Sequence, residues 1–341
     1  MITPSDILHL PYTPDLTENG ITYACRSLAS MSDLRGTLKA ERLRGIVAGM
    51  SVELGFRRWL TSQEVPFHVL GNTPFSHPLR YDVSLGGHRC ILKSFLITRP
   101  IQVDLIQRDP AIALQAAALI PIDKFAEEGH RPDDVYIFAL AAAKAATSSG
   151  AVDSSLAAGQ ASFFIHPLPN DWARPTTWQP LEKLVLKSEC EAPIGIEIGG
   201  LDGGREFVTD RLELPSRTRI PVVQEFHSLA FIHAARRPEA RIGLHSPTRE
   251  KVIVIQAHAW SNIWINGGEI LLTGWLTHEE YRHRGKVLNA GMHTFQFDRT
   301  RVKNLLVPMG ELNPLGPLFE RVRRWERERR STNLSHTKID A

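Results

Sequence analysis

The sequence predicts a two-domain α+β protein. Its 341 residues suffice for two domains of ordinary size, and its 43% hydrophobic and 23% charged residues are typical of globular proteins. A helical pattern near the start of the chain gives way after Pro66 to short runs with the two-residue period of strands. Residues 145–180 are rich in Ser, Gly, Pro and Ala, which indicates a domain boundary.

The first elements are an N-terminal arm and a helix. Residues 1–36 mix turn-forming residues with short apolar pieces, so we expect an irregular or hairpin-like arm. From Thr37 to Leu60, apolar residues recur at three- and four-residue steps, at Leu43, Ile46, Met50 and Leu54. This period predicts a helix with one apolar face.

Strands follow the helix. The alternation predicts three of them, at Phe67–Leu70, Tyr81–Leu85 and His88–Ile97. Asp109 and Pro110 form a favourable helix start, since an N-cap acceptor precedes a proline at the first helical position. The apolar, Ala-rich run 111–120 comes next, and residues 134–143 have the continuous apolar character of a buried strand.

The second half of the chain is predicted to be rich in β-structure. Short strand patterns lie at residues 194–198, 207–214, 252–258, 263–265 and 269–275. Thr277–Glu280 is a capping box that opens a helix extending to Val287. We therefore expect a first domain over residues 37–175, a β-rich substrate- or partner-binding domain over 185–315, and a basic C-terminal helix or tail over 316–341.

Composition excludes several classes of protein. The three cysteines, Cys25, Cys90 and Cys190, are far apart and form no CxxC pair, which argues against a disulfide framework and a cysteine zinc site. The N-terminus lacks the features of a signal peptide, and no apolar run reaches the ~20 residues that span a bilayer. We expect a soluble, cytoplasmic protein with no membrane partner. The formal charge of +3 neither requires nor excludes a nucleic-acid partner.

The candidate site lies in the segment Tyr81–Ile97. Gly86 and Gly87 form a favoured two-residue hairpin loop, because the primed turns need positive φ. In that hairpin Ile91 lies opposite Asp82, and Lys93 is a diagonal neighbour of Asp82 on the same face, about 7–8 Å away along the backbone. A carboxylate can hold a hard divalent cation, and a lysine beside it can orient the attacking water and offset charge in phosphodiester hydrolysis.

These residues and the order of elements resemble the PD-(D/E)XK nuclease superfamily over about residues 37–145. In that family a helix precedes a strand carrying Asp and a strand carrying (D/E)-X-K, after which come another helix and strand. The resemblance implies a restriction-endonuclease-like αβββαβ core. Asp82 matches the first acid, Lys93 matches the lysine, and Glu53 matches an acid supplied by the helix. It also implies Mg²⁺ or Mn²⁺ as cofactor and DNA as substrate.

One position departs from the family pattern. The second acid should lie two residues before Lys93, and this position is Ile91. Three interpretations follow. The metal is held by Asp82, Glu53, waters and the Leu92 carbonyl; or another acid, such as Asp104, replaces the missing one; or the domain binds without catalysis.

Basic residues close to the motif are candidates for contacting a phosphate backbone. Four of them surround the site in sequence, Arg57, Arg58, Arg80 and Arg89. Residues 321–330 add six Arg and two Glu, a pattern that fits either a phosphate contact or a solvated helix with Glu/Arg pairs.

The first functional hypothesis is a metal-dependent DNA endonuclease of the restriction or mobile-element defence kind. The alternative, favoured by Ile91, is a catalytically degenerate nuclease-fold module that serves as a nucleic-acid-binding or scaffold subunit. A third possibility is a β-domain protein unrelated to nucleic acid, in which Asp82 and Lys93 are incidental. A homodimer or a protein partner could be bound through the C-terminal domain.

Overall fold

The structure is a computed structural model that describes residues 2–30, 38–69, 81–249 and 251–336. These residues form a mixed α+β protein with several β-sheets. The helices are α1 Pro14–Leu28, α2 Leu38–Ser62, α3 Pro100–Arg108, α4 Ile122–Phe125, α5 Ser149–Ala157, α6 Asn170–Ala173, α7 His278–Arg284 and α8 Leu315–His336. Within the described residues, no helix has the length and apolar character needed to cross a bilayer.

The strands are short and most pair in antiparallel fashion. In the first 144 residues they are β1 Leu8–Pro11, β2 Phe67–His68, β3 Val83–Leu85, β4 His88–Ile97, β5 Ala117–Pro121 and β6 Val135–Lys144. The central ones are β7 Phe164–Pro167, β8 Val185–Ser188, β9 Ile194–Leu201, β10 Phe207–Leu214, β11 Arg219–Pro221, β12 Ser228–Ala234, β13 Ile242–His245, β14 Ile253–Ile255 and β15 Ser261–Asn262. The last are β16 Asn266–Thr277, β17 Lys286–Leu288 and β18 Asn304–Pro308.

The chain divides into two compact units that are discontinuous in sequence. The first unit comprises residues 1–16, 48–144 and 267–341, and the second comprises 17–47 and 145–266. This division differs from the consecutive domains that the sequence predicts. The difference arises because β16, from the second half of the chain, lies between β1 and β6 in one sheet, and long-range strand pairing leaves no local mark in the sequence.

The first unit is built on a six-stranded sheet in the order β1-β16-β6-β4-β3-β2. β3 and β4 form an antiparallel hairpin, whereas β4 and β6 run parallel, as a connection through α3 allows. On one face, α2 packs closely enough that a side chain at Gly49 would contact the Ser94 hydroxyl. On the other face, Tyr136 and Phe138 join Val103 of α3 in a buried cluster. The sheet is thus covered by helices on both faces.

Two antiparallel sheets share one core in the second unit. Their orders are β10-β9-β12-β7-β15 and β11-β8-β13-β14. Ile196 and Phe164 of the first sheet and Leu186 and Leu244 of the second belong to the same buried cluster. The side chains that alternate with Leu186 and Leu244 face away from this core.

Several predicted elements differ from the structure. The N-terminal arm contains the helix α1, for which Pro14 supplies the first turn. The Asp109–Pro110 start leads only into a six-residue 3₁₀ helix, Pro110–Gln115, because β5 then pairs with β18. The capping box at Thr277 does open a helix, which ends at Arg284 rather than at Val287.

Candidate functional site

The β3–β4 hairpin has the predicted turn and register. Gly86 and Gly87 have φ values of 59° and 92°, in the region where residues other than glycine are strained. Val83 pairs with Cys90 and Leu85 with His88, which confirms the predicted register. Just before β3, the backbone N–H of Asp82 donates at 2.9 Å to the carbonyl of Cys90, the residue that already pairs with Val83, so the regular pairing ends at Val83.

Asp82 and Lys93 lie close to each other on this hairpin. Positions 91 and 93 share one face of β4, and Asp82 lies just before β3. The Asp82 carboxylate accepts a hydrogen bond of 2.6 Å from the Leu92 N–H. The Lys93 amine lies 6.0 Å from the centre of the Tyr136 ring. Burial lowers the pKa of Lys93, and the negative charge of Asp82 opposes this effect.

Glu53 lies on α2, which packs on the face of the sheet that carries Ser94, opposite to the face that carries Lys93. Its side chain is buried at 6% exposure. Arg57, one turn further along α2, forms an ion pair with the Glu53 carboxylate and donates a hydrogen bond of 3.1 Å to the Asp82 carbonyl. The guanidinium group thus links Glu53 of α2 to the backbone of Asp82, whereas Glu53 and Lys93 lie on opposite faces of the sheet.

The oxygen atoms at this site do not fit a Mg²⁺ or Mn²⁺ ion. Mg²⁺ requires a near-octahedral set of oxygen ligands, usually including one or two carboxylates that are free to bind it. Here Ile91 supplies no ligand, Glu53 is paired with a guanidinium group, and one Asp82 oxygen accepts the Leu92 N–H. Throughout the described part of the chain, no group of three or more His, Cys, Asp or Glu side chains could hold a metal ion.

Asp104, the proposed replacement acid, lies in α3 and not on the hairpin. Its carboxylate forms a 3.0 Å ion pair with Lys144. Lys144 ends β6 and lies six residues beyond Phe138, which is the strand partner of Lys93. At about 3.3 Å per residue, this separation is about 20 Å. The fold does not bring Asp104 to Asp82.

Three of the four arginines that were predicted to contact phosphate form ion pairs with carboxylates. Arg58 pairs with Asp15. Arg89 donates to both oxygens of the buried Asp134, at 2.7 and 2.5 Å. Arg57 is paired with Glu53 as described, and Arg80 lies outside the described residues. A groove formed by these four residues stays a prediction.

A cluster of aromatic and histidine side chains, which the sequence did not indicate, lies beside Lys93. The Tyr136 hydroxyl is 3.1 Å from Nδ1 of His278. The His278 ring stacks on Phe125 with centroids 4.2 Å apart and on His130 at 5.1 Å. Burial lowers the pKa of His278, and the neighbouring His130 adds to the effect. These residues come from separate segments, so no local pattern could identify the cluster.

The basic helix α8 packs against α2 and the β3–β4 hairpin. Its apolar side packs through Phe319 against Trp59, with ring centroids 4.7 Å apart. Trp325 contacts His88 at 4.1 Å, and the Arg321 guanidinium lies over the Trp325 ring at 5.1 Å. Arg323, Arg324 and Arg327 of α8 are exposed, and Arg323 donates a hydrogen bond of 2.8 Å to the Gln63 carbonyl. Among the described residues these three arginines have no carboxylate partner.

None of the family models, curated proteins or solved structures with which the chain was compared matches it. The nuclease resemblance of residues 37–145 therefore stays a prediction from the sequence.

Proposed function

We propose that the first unit is a nuclease-like module that does not cleave by a metal-dependent mechanism and that acts by binding DNA. The order of its elements supports the nuclease-like fold. The helix α2 precedes the β3–β4 hairpin carrying Asp82 and Lys93, and α3 then leads to the parallel strand β6. This is the order that the resemblance to the PD-(D/E)XK superfamily implies.

The position of Arg57 carries the proposal that metal-dependent cleavage is lost. Its guanidinium group binds the Glu53 carboxylate and the Asp82 carbonyl, so the acid of α2 is already paired with a cation. A fixed positive charge there opposes the approach of a divalent cation. Ile91 occupies the position at which the family has its second acid, so that carboxylate is missing. The module thus keeps the hairpin of a nuclease without its metal ligands.

Exposed arginines of α8 are better placed to contact DNA than the arginines beside Asp82. Arg323, Arg324 and Arg327 are exposed and lie within two turns of one helix. A phosphate contact by these side chains costs no broken ion pair, whereas Arg58 and Arg89 would first have to leave Asp15 and Asp134. Contacts of this kind bind DNA without reading its sequence.

Plasmid cleavage tests the loss of metal-dependent hydrolysis. We would compare the wild type, Ile91→Asp, Ile91→Asp with Arg57→Ala, and Asp82→Ala over titrations of Mg²⁺ and Mn²⁺, after checking folding by circular dichroism. We expect an inert wild type. Wild-type cleavage that Asp82→Ala abolishes would overturn the proposal. It would establish the second candidate, an active endonuclease, which the closeness of the Asp82 carboxylate to Leu92 and Lys93 favours.

Binding to a labelled DNA duplex at several salt concentrations tests the role of α8. Removing Arg324 and Arg327 together should lower the slope of log K against log salt by about 2, because each lost phosphate contact lowers it by about 1. Arg58→Ala is the matched control and should leave the slope unchanged. If Arg58→Ala lowers the slope and the α8 variant does not, DNA binds beside Asp82 instead. If the wild type does not bind at low salt, the DNA proposal fails.

A further inference from the structure

The second unit has a groove on the outer face of its four-stranded sheet. The groove has a volume of about 410 Å³, which is within the range of ligand sites. Its floor is formed by Gly243 in β13, whose register neighbours are Lys187 of β8 and Val254 of β14. The groove exists because a glycine occupies the centre of a sheet face on which the neighbouring positions carry long side chains.

Apolar groups lie beside this glycine and are open to solvent. Val252 and Val254 are 53% and 49% exposed, and Val185 of β8 lines the same groove. Exposed aliphatic side chains that lie together on one sheet face are typical of a surface that binds a partner. Their contribution to binding would come from burial of apolar area.

Positive charge surrounds the apolar floor. Lys187, Arg219 and Arg241 line the groove together with one carboxylate, Glu189. Glu189 accepts from Arg241 at 2.7 Å and from Lys187 at 3.4 Å, so it compensates only part of their charge. Arg219 is exposed and has no carboxylate partner among the described residues. The rim of the groove is therefore complementary to an acidic ligand.

We propose that this groove binds an extended, acidic segment of a partner protein in which every second residue is acidic and aliphatic in turn, so that both kinds of side chain face the groove. The carboxylates would meet the cationic rim, and the aliphatic side chains would cover the valines and the space over Gly243. A single-stranded nucleic acid fits less well. Bases bind mainly by stacking on aromatic rings, and no Phe, Tyr or Trp lines the groove in the described part of the chain.

The probe is a labelled library of short peptides in which every second position is in turn Glu or Asp and Leu, Ile or Val, with Ser between them. Its binding to the whole chain is followed by fluorescence anisotropy. Two control libraries keep the length, one with Gln for the acids and one with Ser for the aliphatic residues. We expect binding of the acidic–aliphatic library alone. Failure of every such peptide to bind, or equal binding of either control library, would overturn the proposal.

Two variants locate the binding. Gly243→Val fills the floor, and a Cβ there would lie 3.7 Å from the nearest atom, an ordinary contact that the strand can accept. It should weaken binding by about tenfold or more, since the apolar contact area is lost. Arg219→Gln should weaken it about three- to tenfold. Arg211→Gln removes a cation from β10 in the other sheet and should have no effect.

Undiminished peptide binding by both groove variants would place the site elsewhere and overturn the proposal. The folding of Gly243→Val is checked by thermal unfolding, and Arg219→Gln tests the rim independently of that result. A labelled oligothymidylate serves as the competing ligand. If it binds the wild type, displaces the peptide and is itself lost in both variants, the groove is a nucleic-acid site and the peptide proposal is wrong.

Discussion

At the scale of single residues, Arg57 has the strongest effect on what the nuclease-like site can do. It lies one turn after Glu53 on α2, at the spacing where helix side chains pair. The sequence could have predicted that pair. It could not have predicted the hydrogen bond from Arg57 to the Asp82 carbonyl, because that contact depends on how α2 packs on the sheet. The hairpin register and the Glu53–Arg57 pair are local and could be predicted, whereas the contact of Arg57 with Asp82 is tertiary.

His278 gives the protein a stability that depends on pH. Burial and the neighbouring His130 lower the pKa of His278 below its ordinary value of 6.5. The unfolded chain therefore binds this proton more readily than the folded chain does. The free energy of unfolding should fall as the pH drops below 6.5, and the fall should stop once the folded imidazole also binds its proton. The total loss is about 1.4 kcal/mol for each unit by which the folded pKa lies below the unfolded pKa.

The urea midpoint of the first unit, measured from pH 7.5 to 4.5, tests this dependence. His278→Gln removes the titrating group while keeping an acceptor for Tyr136, so its midpoint should fall less steeply with acid. His293→Gln alters an exposed histidine and serves as the control. An unchanged slope in His278→Gln would show that other groups determine the acid sensitivity.

At the scale of elements, the β3–β4 turn also positions α8. A Cβ added to Gly86 would lie 2.8 Å from the Cβ of Trp325, whereas one added to Gly87 would meet open space. The φ of Gly86 is the easier of the two for an alanine to adopt. Backbone strain therefore predicts that replacing Gly87 costs more stability, whereas the contact with α8 predicts that replacing Gly86 costs more.

We expect Gly86→Ala to destabilise the protein more than Gly87→Ala, because the clash with Trp325 adds to a backbone cost of about 1–2 kcal/mol. Gly86→Ala should also speed tryptic cleavage of the Arg-rich helix α8, since its Trp325 contact is disturbed. Urea unfolding and the rate of cleavage measure the two effects. A larger loss of stability in Gly87→Ala would mean that backbone strain dominates and that α8 adapts easily.

The sequence predicted elements well where their signals are local. The helical period of α2, the hairpin and the buried strand β6 were all predictable in this way. The helix α1 was missed because Gly20 interrupts its pattern. The structure explains why a glycine occupies position 20, since a Cβ there would lie 2.6 Å from the Val47 carbonyl oxygen. The strand β5 was missed because its alanines are typical of helices, and only pairing with the distant β18 makes it a strand.

At the scale of the whole molecule, neither unit is a continuous piece of chain. The second unit combines residues 145–266 with 17–47, and these two segments are joined by buried contacts. The Arg44 guanidinium donates to the Asn262 carbonyl at 2.7 Å, and the Thr17 hydroxyl donates to the Ile265 carbonyl at 3.0 Å. A fragment limited to residues 145–266 would lose both hydrogen bonds.

Residues 145–266 expressed alone should therefore not fold stably. The fragment lacks the buried apolar side chains Ile21, Ala24, Leu28, Leu43 and Val47, and the surface that they cover would be exposed to water. We expect strong binding of a hydrophobic dye and no cooperative thermal transition, in contrast to the whole chain. Cooperative unfolding of the fragment would show that residues 17–47 are dispensable.

The position of β16 also determines when the protein can fold during its synthesis. Leu8 of β1 pairs with Leu272 of β16, which in turn lies beside β6. While a ribosome makes the intervening residues, β1 has no partner and β6 presents an open strand edge, the kind of edge that invites pairing with other chains. The central sheet can close only after β16 emerges, so the nascent chain should be vulnerable to aggregation late in translation and should benefit from a chaperone until then.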